Sequence, residues 1–294
     1  MKPSVSLVLS SGGARGIAHI GVIEELERQG FEIKSIAGSS MGALVGGIYA
    51  SGNLKIYRDW MCRLDKKSVF NLADFTLSTN GIIKGDKIIN ELKKIVPDMN
   101  IEDLPISYTA VAADIKNKKE VVFEKGSLYE AIRASISIPG VFKPYKLDEM
   151  VLIDGGVVNP LPINRVKRTP GDLLIAVDLS ASLKPESKPL KHESLKQNEN
   201  KRNIPALLSK NWLNSYGEPF NYYTLFAQSS SMMLQQMSAM SVKMNQPDIL
   251  IKMPMNPYGA FHYYKSEEII RLGAMAAQRE LSGFDKVKAQ ILSS

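Results

Sequence analysis

The sequence has little of three residue types, and each scarcity removes a class of explanation. One cysteine, Cys62, in 294 residues excludes an internal disulfide framework and leaves the redox compartment open. Histidine occurs only at His19, His192 and His262. Neither these nor the cysteine and carboxylates cluster with metal-ligand spacing, so no metal is implied. Long apolar runs are missing as well: none approaches the roughly 20 residues needed to span a bilayer. The opening MKPSVSLVLSSGGA superficially resembles a short signal peptide. Its apolar core is too short for one, and it runs straight into a glycine loop, so it is read as a first strand. The expectation is a protein without cofactor, cytoplasmic or peripheral to a membrane.

What is present is ordinary for a globular chain: 44% hydrophobic and 23% charged residues, enough to bury a sizeable core in one large α/β domain or two small ones. The net charge of +7 fits an acidic partner surface, either anionic lipid or nucleic acid. A basic balance discriminates weakly between them, and no nucleic-acid motif accompanies it.

The first fifty residues alternate strand and helix signals. Val5 to Leu9 is β-rich and ends in Ser10-Ser11-Gly12-Gly13-Ala14-Arg15-Gly16. A helical pattern from Ile17 to Gln29 stops at Gly30, and Ile33 to Ala37 is a second strand. A helix from Ala43 to about Ala50 follows, rich enough in Gly and Ala to pack very close to its neighbours. This order predicts an α/β fold with a mostly parallel sheet. Residues 54 to 100 read as helices and loops with no strong strand, Lys84 to Val96 among the helices. Further on, Ile106 to Asp114 and Glu120 to Phe123 form an antiparallel pair, and Leu128 to Ser137 a short helix. Val151 to Ile153 and Leu173 to Val177 are buried strands, Ile249 to Ile251 is a last strand, and Ser266 to Leu281 a last helix.

Between the second strand and its helix lies Gly38-Ser39-Ser40-Met41-Gly42, a G-x-S-x-G pentapeptide. A sharp strand-to-helix turn needs glycines beside it, and its apical residue is held strained with the side chain exposed. Ser40 at that apex would place its hydroxyl near the amino end of a helix, where unpaired N–H groups favour developing negative charge. The glycine loop at Gly12-Gly13-Ala14-Arg15-Gly16 lacks the spacing of a dinucleotide fingerprint and the Gly-Lys-Ser/Thr of a P-loop. An oxyanion hole for an acyl intermediate formed at Ser40 and a plain tight turn remain.

The base for Ser40 is less determined. His262 stands in the chain order of a Ser-Asp-His triad, His192 lies in a polar stretch, and His19 reads as a packed helix residue. Three aspartates, Asp114, Asp154 and Asp178, sit at strand ends, where catalytic groups of parallel sheets collect. Asp154 alone is followed by two glycines, which permits close approach, while Asp114 and Asp178 read better as loop caps.

SGGARG near the amino terminus, GSSMG some way on, and DGG at 154–156, with RASISIPG ahead of the aspartate strand, together resemble the patatin-like phospholipases. The resemblance runs from Val5 to about Asp178. It implies a three-layer α/β/α fold and a Ser-Asp dyad without a catalytic histidine. Ser40 would be the nucleophile and Asp154 the base. The oxyanion hole would come from the loop Gly12, Gly13, Ala14 and Arg15, with Arg15 as its brace. Ser11 stands where the family usually begins its glycine run, which removes no N–H donor. The implied substrate is a phospholipid or another acyl ester, with peripheral contact to an anionic membrane. A chemically silent lipid-binding protein and an esterase using His262 are the competing readings.

The remaining chain divides by composition. Residues 1–180 form the expected catalytic core, and 181–203 a polar excursion too poor in apolar side chains to fill a core. Residues 204–294 complete the same domain. Their aromatic and methionine-rich part, 204–245, is open to three readings: a lipid-facing lid, ordinary core, or the interface of a homodimer.

Overall fold

A computed structural model of the chain describes residues 2–78, 81–181, 222–253 and 262–293. At its centre is β1 (Ser4–Leu9), flanked by β2 (Glu32–Ser39) and β9 (Leu173–Asp178). The sheet runs β10 (Ile249–Lys252), β9, β1, β2, β5 (Ser107–Asp114), β8 (Met150–Asp154), β7 (Tyr145–Leu147), and β6 (Lys119–Phe123) pairs β5 separately. From β10 to β5 every pairing is parallel; β6 and β8 are antiparallel to β5, and β7 to β8. Parallel strands connect through crossovers that cover both faces, which is why the central strands read as unbroken apolar runs.

Side-chain alternation then builds two cores. Val5, Leu7 and Leu9, with Ile36, Ile175 and Val177, face the larger one. It is roofed by α1 (Ala18–Arg28), α2 (Met41–Ala50) and α8 (Ser266–Ser293). Val8, Ala37, Leu174 and Ala176 face the other way, against Leu161, Ile163, Val166 and Val242 of α7 (Tyr222–Asn245). Two helical layers and a sheet make the α/β/α order. Packing of α1 on α8 is backbone to backbone: a Cβ on Gly21 would lie 1.9 Å from Ile270 O, and one on Gly273 would lie 2.0 Å from Ala18 O.

The stretch 54–100 departs from the expectation of helices and loops alone. It holds α3 (Leu54–Cys62), α4 (Lys66–Leu72) and α5 (Asp86–Ile95), and also a hairpin, β3 (Phe75–Ser78) with β4 (Gly81–Ile83). The hairpin is separate from the main sheet and is latched at one end, where Ile83 exchanges backbone hydrogen bonds with Val141 and Lys143. So short a pair has too few residues to show period-two patterning. The last helix of the first half, α6 (Leu128–Ser135), starts at Ser127, whose hydroxyl accepts from the Glu130 N–H.

The polar excursion, with His192, lies outside the described residues except for Ala181. Within α7 the large apolar side chains Leu225, Phe226, Met232, Met233, Met240 and Met244 are all exposed, so for them the core reading fails. Apart from Val242, the inward face is small and polar where its contacts are made: Ser238 is fully buried, Gln235 donates to Ser180 O at 2.9 Å, and Ser241 donates to Leu161 O at 2.7 Å. Among the described residues no helix is long and apolar enough to cross a membrane.

Candidate active site

Strand register brings Ser40 and Asp154 together. β2 pairs with β5 over residues 107–111 and β8 with residues 112–114. Because β6 occupies the opposite flank of β5 along both stretches, β2 and β8 lie end to end on one flank. Their carboxyl ends, Ser39 opposite Val111 and Asp154 opposite Ala112, therefore meet. No long loop is needed to deliver the aspartate to the serine.

Ser40 sits at the turn between β2 and α2 with φ 55° and ψ −123°, a left-handed conformation that L residues adopt only under constraint. The constraint is visible. A Cβ on Gly38 would lie 2.4 Å from Gly42 C, and one on Gly42 would lie 2.2 Å from Leu9 O, so backbone packs directly on backbone around the turn. The Ser40 N–H donates to Ser135 Oγ at 2.8 Å, and Ser135 Oγ donates to Val111 O at 2.6 Å. A serine before a helix ordinarily accepts from the N–H groups of the first turn. Ser40 makes no such capping bond, so its hydroxyl does not take up the N–H groups at the positive end of α2.

The Ser40 hydroxyl donates directly to Asp154 Oδ2 at 2.5 Å, with no imidazole between them. Asp154 Oδ1 accepts from the Gly156 N–H at 2.7 Å, and the Asp154 N–H donates to Ser137 O at 2.9 Å. Both side chains are buried. Loss of water pushes the Asp154 carboxyl up to about 6, against the opposing pull of its bonds from Ser40 and Gly156. Gly155 is obligatory for this approach, since a Cβ there would lie 2.1 Å from Val111 O.

The glycine loop borders the pair. Gly13 has φ 56°, a conformation natural to glycine. Arg15 Nε donates to Gly12 O at 3.2 Å, and burial lowers the pKa of the guanidinium. Ala14 is buried in the 3₁₀ turn Gly13–Ile17, and a Cβ on Gly16 would collide with Met41 at 2.2 Å, so the loop packs on the start of α2. Ser11 rests against Gly156: a Cβ added there would lie 3.2 Å from Ser11 Oγ and 3.0 Å from Asp154 Oδ1. The Ser11 N–H donates to Pro160 O at 2.8 Å, which ties the loop to the chain just beyond the aspartate.

The other sequence candidates go elsewhere. Asp114 accepts from Asn117 Nδ2 at 2.6 Å and from Lys116 N–H at 3.0 Å, and Asp178 accepts from Ser180 Oγ at 2.6 Å, so both close their own turns. His262 lies beside the Tyr264 ring, and burial followed by the charges of Lys265 and Lys66 lowers its pKa. His19 is fully buried on α1, donates from Nε2 to Ser10 O at 2.8 Å, and is held neutral by burial at about 4. Its role is to hold the carbonyl that precedes the glycine loop.

Two participants had no reading in the sequence beyond their place in a motif or a helix. Ser135 belongs to the RASISIPG run, yet nothing local shows that it grips a backbone N–H ninety-five residues away. Tyr263 is half-buried, and loss of water first and the charge of Asp154 second raise its phenol above the ordinary range. No signal in the sequence marks it.

Comparison with known proteins places these features in context. A family model described as patatin-like phospholipase matches residues 7–166. An uncharacterized NTE family protein of Mycobacterium tuberculosis is 48% identical over 180 residues, which cover 61% of this chain and 50% of that protein. Lysophospholipase NTE1 of Candida albicans is 30% identical over 283 residues, 92% of this chain and 19% of that protein. The chain thus spans about half the length of the mycobacterial relatives it matches. Among solved structures, VipD from Legionella pneumophila aligns over 96% of this chain and 67% of that one, with a TM-score of 0.47 and 13% identity.

Proposed function

The chain belongs to the patatin-like phospholipase family, and from that membership we propose that it is a serine lipid acyl hydrolase of phospholipase A, lysophospholipase or carboxylesterase type. The observation that carries the proposal is the buried 2.5 Å hydrogen bond from Ser40 Oγ to Asp154 Oδ2 at the amino end of α2.

The chemistry follows from that contact. Ser40 Oγ attacks the ester carbonyl carbon while its proton passes to Asp154 Oδ2. An aspartate near pKa 3.9 is a weak base for a hydroxyl; at about 6, Asp154 is better matched and still ionised at neutral pH. The carbonyl oxygen becomes an oxyanion facing the N–H groups of Gly12 and Gly13, with the α2 terminus adding to the field. Collapse expels the alcohol oxygen, which takes the proton from Asp154 and leaves an acyl group on Ser40. Water then attacks that acyl group and gives its proton to Asp154. Release of the fatty acid returns the proton to Ser40. The fungal relative's name points to lysophospholipids as the first substrates to try.

Labelling with a fluorophosphonate ester, read by mass spectrometry, tests the assignment. The expected result is an adduct on Ser40, labelling slowed by at least about 100-fold in Asp154→Ala, and hydrolysis of lysophosphatidylcholine lost in Ser40→Ala. Turnover retained by a folded Ser40→Ala protein would exclude the assignment. A folded wild type with neither adduct nor turnover would leave a lipid-binding protein with a silent site, and unchanged turnover in His262→Ala would dispose of the triad.

A further inference from the structure

α7 carries its hydrophobic side chains on the wrong face for a core helix. At about 100° per residue, Leu225, Phe226, Met232, Met233, Met240 and Met244 fall on an arc of roughly 120° opposite buried Ser238. They are 54%, 58%, 62%, 58%, 63% and 81% exposed, and they account for half of the exposed large apolar side chains among the described residues. The helix contains no Asp or Glu, and its one charge is Lys243.

Its position is equally informative. Gln235 is bonded to Ser180, just past the carboxyl end of β9, and Ser241 to Leu161. Asp248, three residues beyond the helix, accepts from the Leu174 N–H at the opposite end of β9. α7 therefore descends antiparallel to the strands, and the residues before Gln235 extend past the sheet's carboxyl edge by about 1.5 Å each. That edge holds Ser40, Asp154 and the glycine loop. Other apolar side chains are exposed there: Val157 and Val158 in the turn after Asp154, and Ile115 after β5. Ile115 opens a basic turn, Lys116, Lys118 and Lys119, in which Lys116 also meets Glu149 at 3.0 Å.

We infer that the outward face of α7, together with the basic turn at Ile115–Lys119, docks the protein on an anionic phospholipid bilayer with the carboxyl edge of the sheet toward the lipid. An apolar helix face without acidic residues, beside a turn that carries three lysines, matches a negatively charged, hydrocarbon-backed surface. Methionine adapts to an irregular apolar environment better than a branched side chain does. The inference deepens the acyl-hydrolase reading and rests on it for the reason a bilayer is met.

Flotation of the full chain with phosphatidylcholine vesicles, with and without phosphatidylserine, tests it. The wild type should float with the phosphatidylserine vesicles. Met233→Glu with Met240→Glu, two exposed positions where Glu favours the helix, should reduce binding by about tenfold or more and leave hydrolysis of a soluble short-chain ester unchanged. Lys118→Glu should lose about fivefold or more, only on the anionic vesicles. Equal flotation of the double variant and the wild type would overturn the inference. So would a wild type that does not float, including one that sediments as a dimer broken by the same double substitution, which would assign the face to a second copy of the chain. Ser40→Ala should float like the wild type. Binding that needs Met233 and Met240 in a protein without esterase turnover would end the hydrolase reading and keep this one; turnover without such binding would do the reverse.

Discussion

α2 and α7 lie against opposite faces of the same sheet and solve opposite problems. α2 is buried almost all round and is built from Gly, Ala and a few aliphatic residues, so that backbone touches backbone. α7 is anchored by a thin line of polar and small side chains and shows its methionines to the outside. The first fixes Ser40 to within the tolerance of a hydrogen bond. The second fixes little about its own outer surface. Rigidity in this molecule comes from small residues in the interior, and adaptability from large flexible ones at the rim.

Breaking the α2 side should have the largest effect. Gly42→Ala places a Cβ 2.2 Å from Leu9 O, a backbone atom that cannot rotate away. Loss of more than about 3 kcal/mol of stability is expected, seen as a fall in the urea midpoint. A Gly42→Ala protein as stable as the wild type would mean that the elbow is not held by this contact.

Next in size is the buried carboxylate. The Asp154 carboxyl titrates at about 6 in the folded protein, above its ordinary 3.8. Between those values the folded state holds a proton that the unfolded chain has released, so stability falls as pH rises from about 4 to about 6 and stays lower above. The difference is about 3 kcal/mol. Asp154→Asn should therefore be the more stable protein at pH 7, match the wild type near pH 4, and label poorly at Ser40. The wild-type rate should climb through about pH 6 as the base ionises. A stability difference between the two proteins that stays the same from pH 4 to pH 7, read from denaturation midpoints, would remove the charge from this account.

Ser135→Ala is smaller. It leaves the Ser40 N–H without its acceptor and should cost about 1–3 kcal/mol while slowing fluorophosphonate labelling; a normal labelling rate would show that the turn holds itself. At the other end of the comparison, Met240→Gln on α7 should change stability by less than about 0.5 kcal/mol. A larger loss on chemical denaturation would show that the rim is as rigid as the elbow.

The sequence made the first of these regions legible and left the second open. Glycine at 38, 42 and 155 is needed because something passes close by, and that need survives in the residue type itself. The buried strands themselves are also readable, since parallel strands covered on both faces have little to offer but apolar residues. The meeting of β2 and β8 on one flank of β5 depends on register, which no single segment encodes, so the two glycines after Asp154 favoured it over Asp114 and Asp178 but only pairing sets it beside Ser40. Ser135 was hidden for a related reason: it acts through a neighbour distant in sequence. On α7 the apolar residues are at helical spacing whether they face core or solvent, so composition could not tell lid from core. The 75–83 hairpin was too short to announce itself.

The glycine crossing between α1 and α8 has a consequence in time. Gly273, whose backbone meets Ala18 O, leaves the ribosome about 250 residues after Gly21; at roughly 5–20 residues per second that is an interval of about 10–50 seconds. Through that interval the helix that leads out of the glycine loop has no roof, and β1 also waits for β9 on one side. The nascent protein thus holds its elbow sequence through that interval without the fold that would strain it, and any chain released short of α8 lacks the clamp on α1.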